Sequence, residues 1–143
     1  GEVLASLAVS GAQQLVRAMD LVEEGATPTP QPLDGVTLAA KITVDDARLD
    51  FARGAGELRN QVMGCSPDPG AWCELDGQRF KVFRARVGGP EGLAPGELAA
   101  TKRELFVGTG DGALELLEVQ APGKRRMPAI DWARGGVVGK RLT

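Results

Sequence analysis

The stretch AWCELDGQRFKVFRARV, residues 71–87, sets the architecture of the chain. Asp76-Gly77 at its centre is a strong signal for a two-residue hairpin turn, because both positions of such a turn need a positive φ. The residues on either side suit extended backbone. The stretch therefore predicts two strands, residues 71–75 and 78–87, that pair as a hairpin.

Three further strands are predicted on the C-terminal side of this hairpin, after a loop that opens at Gly88-Gly89-Pro90. A helix and a last helical turn flank them, and the segment before the helix reads as extended chain with a turn near Asp45-Asp46. Five short strands with a helix predict a mainly β fold with flanking helices, an OB-like five-stranded Greek-key barrel. The predicted strands are residues 96–101, 104–109 and 113–121, and the helical segments are residues 55–64 and 129–134.

Residues 2–24 predict one long amphipathic helix, because Leu4, Leu15 and Val22 recur at helical spacing. Gly25 is a typical stop signal. Alternating prolines at 28, 30 and 32 then predict an extended, semi-rigid spacer. A helix draws most of its stability from packing of its apolar face. We therefore expect the partner of this face in a missing upstream segment; the alternative is a helix folded back over the linker.

Composition excludes several kinds of site. The chain has no histidine, which removes the commonest general base and the commonest metal ligand. Its two cysteines, Cys65 and Cys73, form neither a CxxC pair nor a disulfide framework. No apolar run approaches the roughly 20 residues that span a bilayer. We expect no metal, no membrane segment, a reduced cytoplasmic compartment and a monomer.

The net charge of the chain is −2, but the charged residues are distributed unevenly along it. Residues 1–34 hold five acids and one base, whereas residues 78–87 hold four bases and no acid. Residues 122–143 hold six bases against Asp131 alone. Because local charge attracts a polyanion more than the sum does, these two basic patches favour RNA or another polyanion as a partner. A solvated charged surface with no partner is the alternative.

Three motifs that suggest other chemistry fail on spacing. Gly108 to Gly112 reads GxGxG and is followed by too few residues for a crossover helix, so a glycine-rich hairpin is the better interpretation. Gly139-Lys140 lacks the first glycine and the Ser/Thr of a P-loop. Asp45, Asp46 and Asp50 lack the glycine and glutamate of an EF-hand and are interpreted as turn and cap residues.

Strand alternation places Lys81, Phe83 and Ala85 on one predicted face, with Arg84 and Arg86 on the other. Cations would then lie on both sides of the strand. The chain has few aromatics and no tyrosine. Contact with the backbone and shape of a folded RNA therefore fits better than base stacking, and we expect both tryptophans, Trp72 and Trp132, in the core.

The order and spacing of several short motifs resemble the C-terminal portion of the methionyl-tRNA formyltransferase family, along essentially the whole chain. The linker exit carries Pro30-Gln31, Gly35-Val36-Thr37 and Ala40-Lys41-Ile42. Ala47 to Phe51 resembles the family's ARIDW element, and Ser66 to Trp72 its PxPGAW element. Gly110 to Gln120 and Gly123 to Ala129, with Asp131-Trp132, resemble its C-terminal signature.

The resemblance implies a parent enzyme that transfers a formyl group from 10-formyltetrahydrofolate to the amino group of methionyl initiator tRNA. Residues 1–25 would be the last helix of a missing catalytic domain, residues 26–40 the Pro-rich linker, and residues 41–143 an OB-like tRNA-binding domain. The family's catalytic residues have no match, so no catalytic residue and no cofactor are expected in this segment, and it should be inactive alone. The alternative is an accessory domain of a related formyltransferase that acts on a sugar nucleotide or folate.

Candidate tRNA contacts follow from the resemblance and from the charge pattern. Lys41 at the linker exit and Lys124, Arg125 and Arg126 match basic family positions. Arg59, Lys81 and Arg84 are added from the charge pattern alone. Met63, where many relatives carry an arginine, weakens the basic surface near the short helix. Leu38 and Phe51 replace a commoner tyrosine and tryptophan, which a packing site tolerates.

Overall fold

The computed structural model describes residues 1–137 and 139–143, and the chain divides into two compact units, residues 1–41 and residues 42–143. The second unit is mostly antiparallel sheet with flanking helices, as predicted. No helix in the described residues is long and apolar enough to cross a membrane. The elements are α1 (Glu2–Glu23), α2 (Ala55–Cys65), β1 (Ala71–Leu75), β2 (Gln78–Val87), β3 (Leu98–Ala100), β4 (Leu105–Gly108), β5 (Ala113–Gln120), β6 (Met127–Pro128) and α3 (Ala129–Ala133).

The N-terminal unit is the predicted long helix followed by irregular chain. Gly25, at φ 84°, ends α1. Its N–H donates to the carbonyl of Val22 at 3.0 Å, and the N–H of Ala26 donates to that of Leu21 at 2.9 Å, which is the paired hydrogen bonding of a Schellman stop. No side chain of α1 is buried. The helix ends where the sequence predicted, and its apolar side chains stay exposed.

The sheet has the order β1-β2-β5-β4-β3, with β6 added on β5, and every named strand pair is antiparallel. Asp76 and Gly77, at φ 52° and 73°, form the predicted β1–β2 turn. The five predicted strands are all present, although β3 and β4 are shorter than expected. The sixth strand, β6, was not predicted; it lies just after the basic run at 124–126.

The C-terminal segment contacts β1, at one edge of the sheet, and the chain just before β3, at the other edge. Leu142 bridges Leu75 of β1, and Arg141 bridges Glu97 just before β3. The N–H of Thr143 donates to the carbonyl of Glu74 at 3.0 Å, and the N–H of Leu142 donates to that of Gly96 at 2.9 Å. The C-terminal segment, whose sequence indicated only a basic charge, therefore hydrogen-bonds to the backbone of β1 and to that of the chain before β3.

The core forms where the inward residues of the strands meet α2 and α3. Cys73, Phe80, Val82 and Val119 are completely buried. Trp72 lies in the core cluster, as predicted. Trp132 is only partly buried and packs against the cluster, with its ring centroid 4.7 Å from that of Phe80. Burial raises the pKa of the Cys73 thiol to about 12, so this thiol stays protonated at neutral pH. Both cysteines are free.

The glycine-rich β4–β5 hairpin anchors the start of α2. Asp111 Oδ1 accepts a hydrogen bond from the N–H of Ala55 at 2.7 Å, supplying the side-chain cap that Gly54 cannot. The N–H of Gly110 donates to the carbonyl of Arg53 at 2.9 Å, and a Cβ on Gly110 would overlap the carbonyl oxygen of Ala52. The glycine pattern here serves tertiary packing, in agreement with the hairpin interpretation.

Candidate nucleic-acid interface

The outer face of β2, opposite the core, carries the cations of this strand. Phe80 and Val82 are completely buried in the core. Because side chains alternate along a strand, Arg79 and Lys81 lie on the outer face. Arg79 is exposed and Lys81 is half-buried.

An irregularity in the β2–β5 pairing corrects the predicted alternation beyond this point. The register shifts between Val82 and Arg84 and again between Arg84 and Ala85. Val82 lies in the core cluster, and Ala85 packs against that cluster. Phe83 is also buried, but it lies outside the cluster and its ring contacts Arg126. Arg84 and Arg86 therefore lie on the outer face with Lys81. The prediction of cations on both sides of the strand was wrong.

The turn between β5 and β6, residues 121–126, brings a second group of cations to this face. Lys124 and Arg125 are exposed. The N–H of Lys124 donates to the carbonyl of Ala121 at 3.0 Å. Gln120 Nε2 donates to the carbonyl of Lys124, also at 3.0 Å, and Gln120 is the register partner of Lys81. The basic turn is thus held beside β2.

Arg126 is more constrained than its neighbours. Its Nε lies 2.6 Å from Oε1 of Glu118, and its second guanidinium nitrogen donates to Oε2 at 2.7 Å. The guanidinium carbon also lies 4.3 Å from the centroid of the Phe83 ring. A two-pronged ion pair of this kind fixes a planar guanidinium in orientation as well as position.

The loop before β1 packs along the same side of β2. Lys81 Nζ donates to the carbonyl of Pro69 at 3.0 Å. Ser66 Oγ donates to the carbonyl of Phe83 at 2.9 Å. The first of these contacts holds the ammonium of Lys81 near the end of α2.

Five of the predicted contacts therefore lie on one surface of the unit formed by residues 42–143. Arg59 is exposed on α2, where it donates to Asn60 at 3.1 Å. Lys41 is exposed in the N-terminal unit. The basic face, as the term is used below, consists of Lys81, Arg84, Lys124, Arg125 and Arg126.

Most of the charge on the basic face is open to solvent. In the described chain, no carboxylate oxygen lies within 4.0 Å of the side-chain nitrogens of Arg84, Lys124 or Arg125. Arg126 is the member of the basic face with an ion pair there. Exposed, unpaired cations of this kind can neutralise phosphates.

Sequence reasoning missed an extension of this surface onto β1. Arg79 lies 4.3 Å and Arg48 lies 5.4 Å from the centroid of the Trp72 ring, which the two guanidiniums help to bury. Arg48 also pairs with Glu74 at 3.7 Å. Arg79 was visible in the sequence as the first of four bases in residues 78–87, but its stacking on a residue of the paired strand was not.

The aspartates at 45, 46 and 50 act as turn residues, as predicted. Asp46 Oδ2 accepts from the hydroxyl of Thr43 at 2.7 Å and from its N–H at 2.8 Å. These hydrogen bonds, the hydroxyl one first, lower the pKa of Asp46 below its ordinary value. Asp50 Oδ1 accepts from the N–H of Ala52 at 3.0 Å. Among residues 1–137 and 139–143, no group of three or more acidic, cysteine or histidine side chains could hold a metal.

Comparison with known proteins gives consistent matches along the chain. The family described as formyl transferase, C-terminal domain, matches residues 41–136. A methionyl-tRNA formyltransferase of Cutibacterium acnes is 47% identical over 152 residues, covering 99% of this chain and 48% of that protein. One from Streptomyces coelicolor is 51% identical over 147 residues, covering 99% and 47%. The chain therefore spans about half the length of the curated relatives it matches.

Among solved structures, the fold resembles that of HypX from Aquifex aeolicus. A multiple variant of HypX aligns with a TM-score of 0.70 at 21% identity, covering 90% of this chain and 24% of that one. HypX in complex with tetrahydrofolic acid aligns with a TM-score of 0.69 at 22% identity, covering 87% and 23%. At this level of identity the likeness shows a shared fold.

Proposed function

Because the chain belongs to the formyl transferase C-terminal domain family, we propose that it is the tRNA-positioning part of a methionyl-tRNA formyltransferase. The reaction would transfer a formyl group from 10-formyltetrahydrofolate to the amino group of methionyl initiator tRNA, for translation initiation in the cytoplasm. The basic face carries this proposal: it holds three exposed cations without a carboxylate partner, on a chain whose curated relatives bear that name. Those names favour tRNA over a sugar nucleotide as the substrate.

The contribution of the chain to this reaction is geometric. Formyl transfer needs the aminoacyl end of the tRNA held beside the donor, and correct placement of reactants lowers the barrier. Contacts with phosphates fix register and orientation without reading sequence. Lys124, Arg125 and Arg84 supply such contacts. Lys41 and Arg59 are proposed as additional contacts outside the basic face.

The proposal includes the finer features of the fold. The strand order, with the C-terminal segment bridging β1 and the chain before β3, supports an OB-like Greek-key barrel. Residues 26–40, with their alternating prolines, would act as a semi-rigid linker. Residues 1–25 would pack their exposed apolar side chains against a catalytic formyltransferase domain. The chemistry would then belong to that domain, and the chain alone would be inactive.

Binding of folded initiator tRNA to the chain, followed by fluorescence anisotropy at two salt concentrations, tests the proposed function. We expect saturable binding that weakens steeply between about 50 mM and 200 mM salt, because phosphate neutralisation releases counterions. A parallel incubation with 10-formyltetrahydrofolate and methionyl-tRNA should give no formylated product. Absence of binding at low salt would contradict the proposed RNA contact, and turnover would contradict the assignment of catalysis elsewhere.

A further inference from the structure

Glu118 is a carboxylate at the centre of the basic face. It lies opposite Arg84 in the β2–β5 register and binds Arg126 through both of its oxygens. Its side chain is 29% exposed. A negative charge at this position opposes the approach of a polyanion, so its presence needs a reason other than attraction of RNA.

The ion pair between Glu118 and Arg126 connects a strand to the turn that follows it. Glu118 belongs to β5, whereas Arg126 ends the β5–β6 turn. Arg126 is thereby fixed at one end of the turn, against Phe83. Gln120 binds the carbonyl of Lys124 from the other side. The two anchors bracket Lys124 and Arg125, whose side chains are exposed.

We infer that Glu118 is a positioning residue that acts through Arg126 to fix the β5–β6 turn, so that Lys124 and Arg125 meet the phosphates of the RNA. Arg126 itself, neutralised by Glu118, is then an anchor of the turn and not a principal phosphate contact. This inference rests on the proposed function, and it revises the role of Arg126, which the family resemblance placed among the contacts.

The variant Glu118→Gln separates positioning from simple charge. Charge alone predicts tighter tRNA binding, because the basic face gains one positive unit. If Glu118 instead positions the turn, binding should weaken by about threefold. The turn would then lose an ordering contact, and a solvent-accessible ion pair contributes a free energy of about that size. The two predictions differ in sign. Glu91→Gln, an exposed glutamate with no hydrogen bond or ion pair among the described residues, is the matched control for the change in charge.

A second variant and a measurement without RNA complete the test. Arg126→Lys keeps the charge but cannot form the two-pronged pair, so it should weaken binding as Glu118→Gln does. Amide hydrogen exchange across residues 124–127 should accelerate in Glu118→Gln and stay unchanged in Glu91→Gln.

Unchanged exchange, or tighter binding by Glu118→Gln, would overturn the inference while leaving the proposed function intact. Failure of the unsubstituted chain to bind tRNA would instead count against the proposed function, and the exchange measurement would still decide the role of Glu118.

Discussion

Two arginine–glutamate pairs on the outer face of the sheet use the same chemistry in different settings. Arg86 and Glu115 are register partners on β2 and β5, with Nε donating to the carboxylate at 2.9 Å. The Glu115 side chain is 10% exposed. Glu118 lies on the same strand, but its arginine comes from a turn, and its side chain is 29% exposed.

The difference shows how context assigns a role to an ion pair. Between strands already paired by their backbones, Arg86 mainly compensates a carboxylate that the fold has buried. Between a strand and a turn, Arg126 determines where a loop lies. The first pair should therefore affect stability, and the second should affect the shape of a surface. Substitutions at these two pairs and at two further contacts test this distinction.

The largest effect is expected for Arg86→Ala. It leaves the buried carboxylate of Glu115 without its cation, which should lower the free energy of unfolding by about 2 kcal/mol. Urea denaturation measures the change, with Arg103→Ala in the exposed β3–β4 turn as the control. A loss equal to that of the control would mean that Glu115 is solvated well enough without Arg86.

A smaller loss is expected for Asp111→Ala, a carboxylate that binds backbone instead of a cation. Removal of the cap on α2 should cost about 1 kcal/mol of unfolding free energy. Asp111→Asn keeps an oxygen acceptor and should retain most of the stability. Equal losses in the two variants, measured by thermal unfolding, would indicate that the negative charge matters more than the hydrogen bond.

Glu118→Gln should change stability less than either, by no more than about 0.5 kcal/mol, because half-exposed ion pairs contribute little to folding. Chemical denaturation beside Arg86→Ala makes the comparison direct. If the two variants were equally destabilised, the distinction between a buried pair and a surface-shaping pair would fail.

The smallest effect is expected for Arg79→Ala. If the RNA surface extends over the stack on Trp72, tRNA binding should weaken by about twofold. Fluorescence of Trp72 should also change on loss of the arginine above its ring, with Trp132 as a constant background. Lys102→Ala, in the exposed turn, is the control. Identical affinities for both variants would show that the RNA-binding surface does not extend beyond Lys81 to Arg79.

The parts of the fold that could be predicted depend on local chemistry. Asp76-Gly77 specifies its turn because both residues take a positive φ, and Gly25 ends α1 for the same reason. The strands follow from their own composition. The irregular pairing at Phe83 was not predictable from alternation within β2, because it depends on the register with β5.

In the candidate site, too, local patterns could be predicted from the sequence, whereas contacts between distant residues could not. The exposed cations Lys124 and Arg125 could be identified from the sequence, since a basic run followed by Met127-Pro128 is a local pattern. Pairing of Arg126 with Glu118 could not, because the hairpin that brings them together includes β6, only two residues long. The cap from Asp111 to Ala55 joins positions 56 residues apart and leaves no local signal.

Whether the β5–β6 turn contacts RNA phosphates can be measured from the salt dependence of initiator-tRNA binding, compared between the unsubstituted chain and Lys124→Ala/Arg125→Ala. Lys102→Ala/Arg103→Ala, an adjacent Lys-Arg pair in another exposed turn, is the matched control. We expect the first double variant to lose about two units of the log–log salt slope, one for each phosphate contact, while the control keeps the full slope. Equal slopes for the two double variants would show that the β5–β6 turn does not contact the RNA.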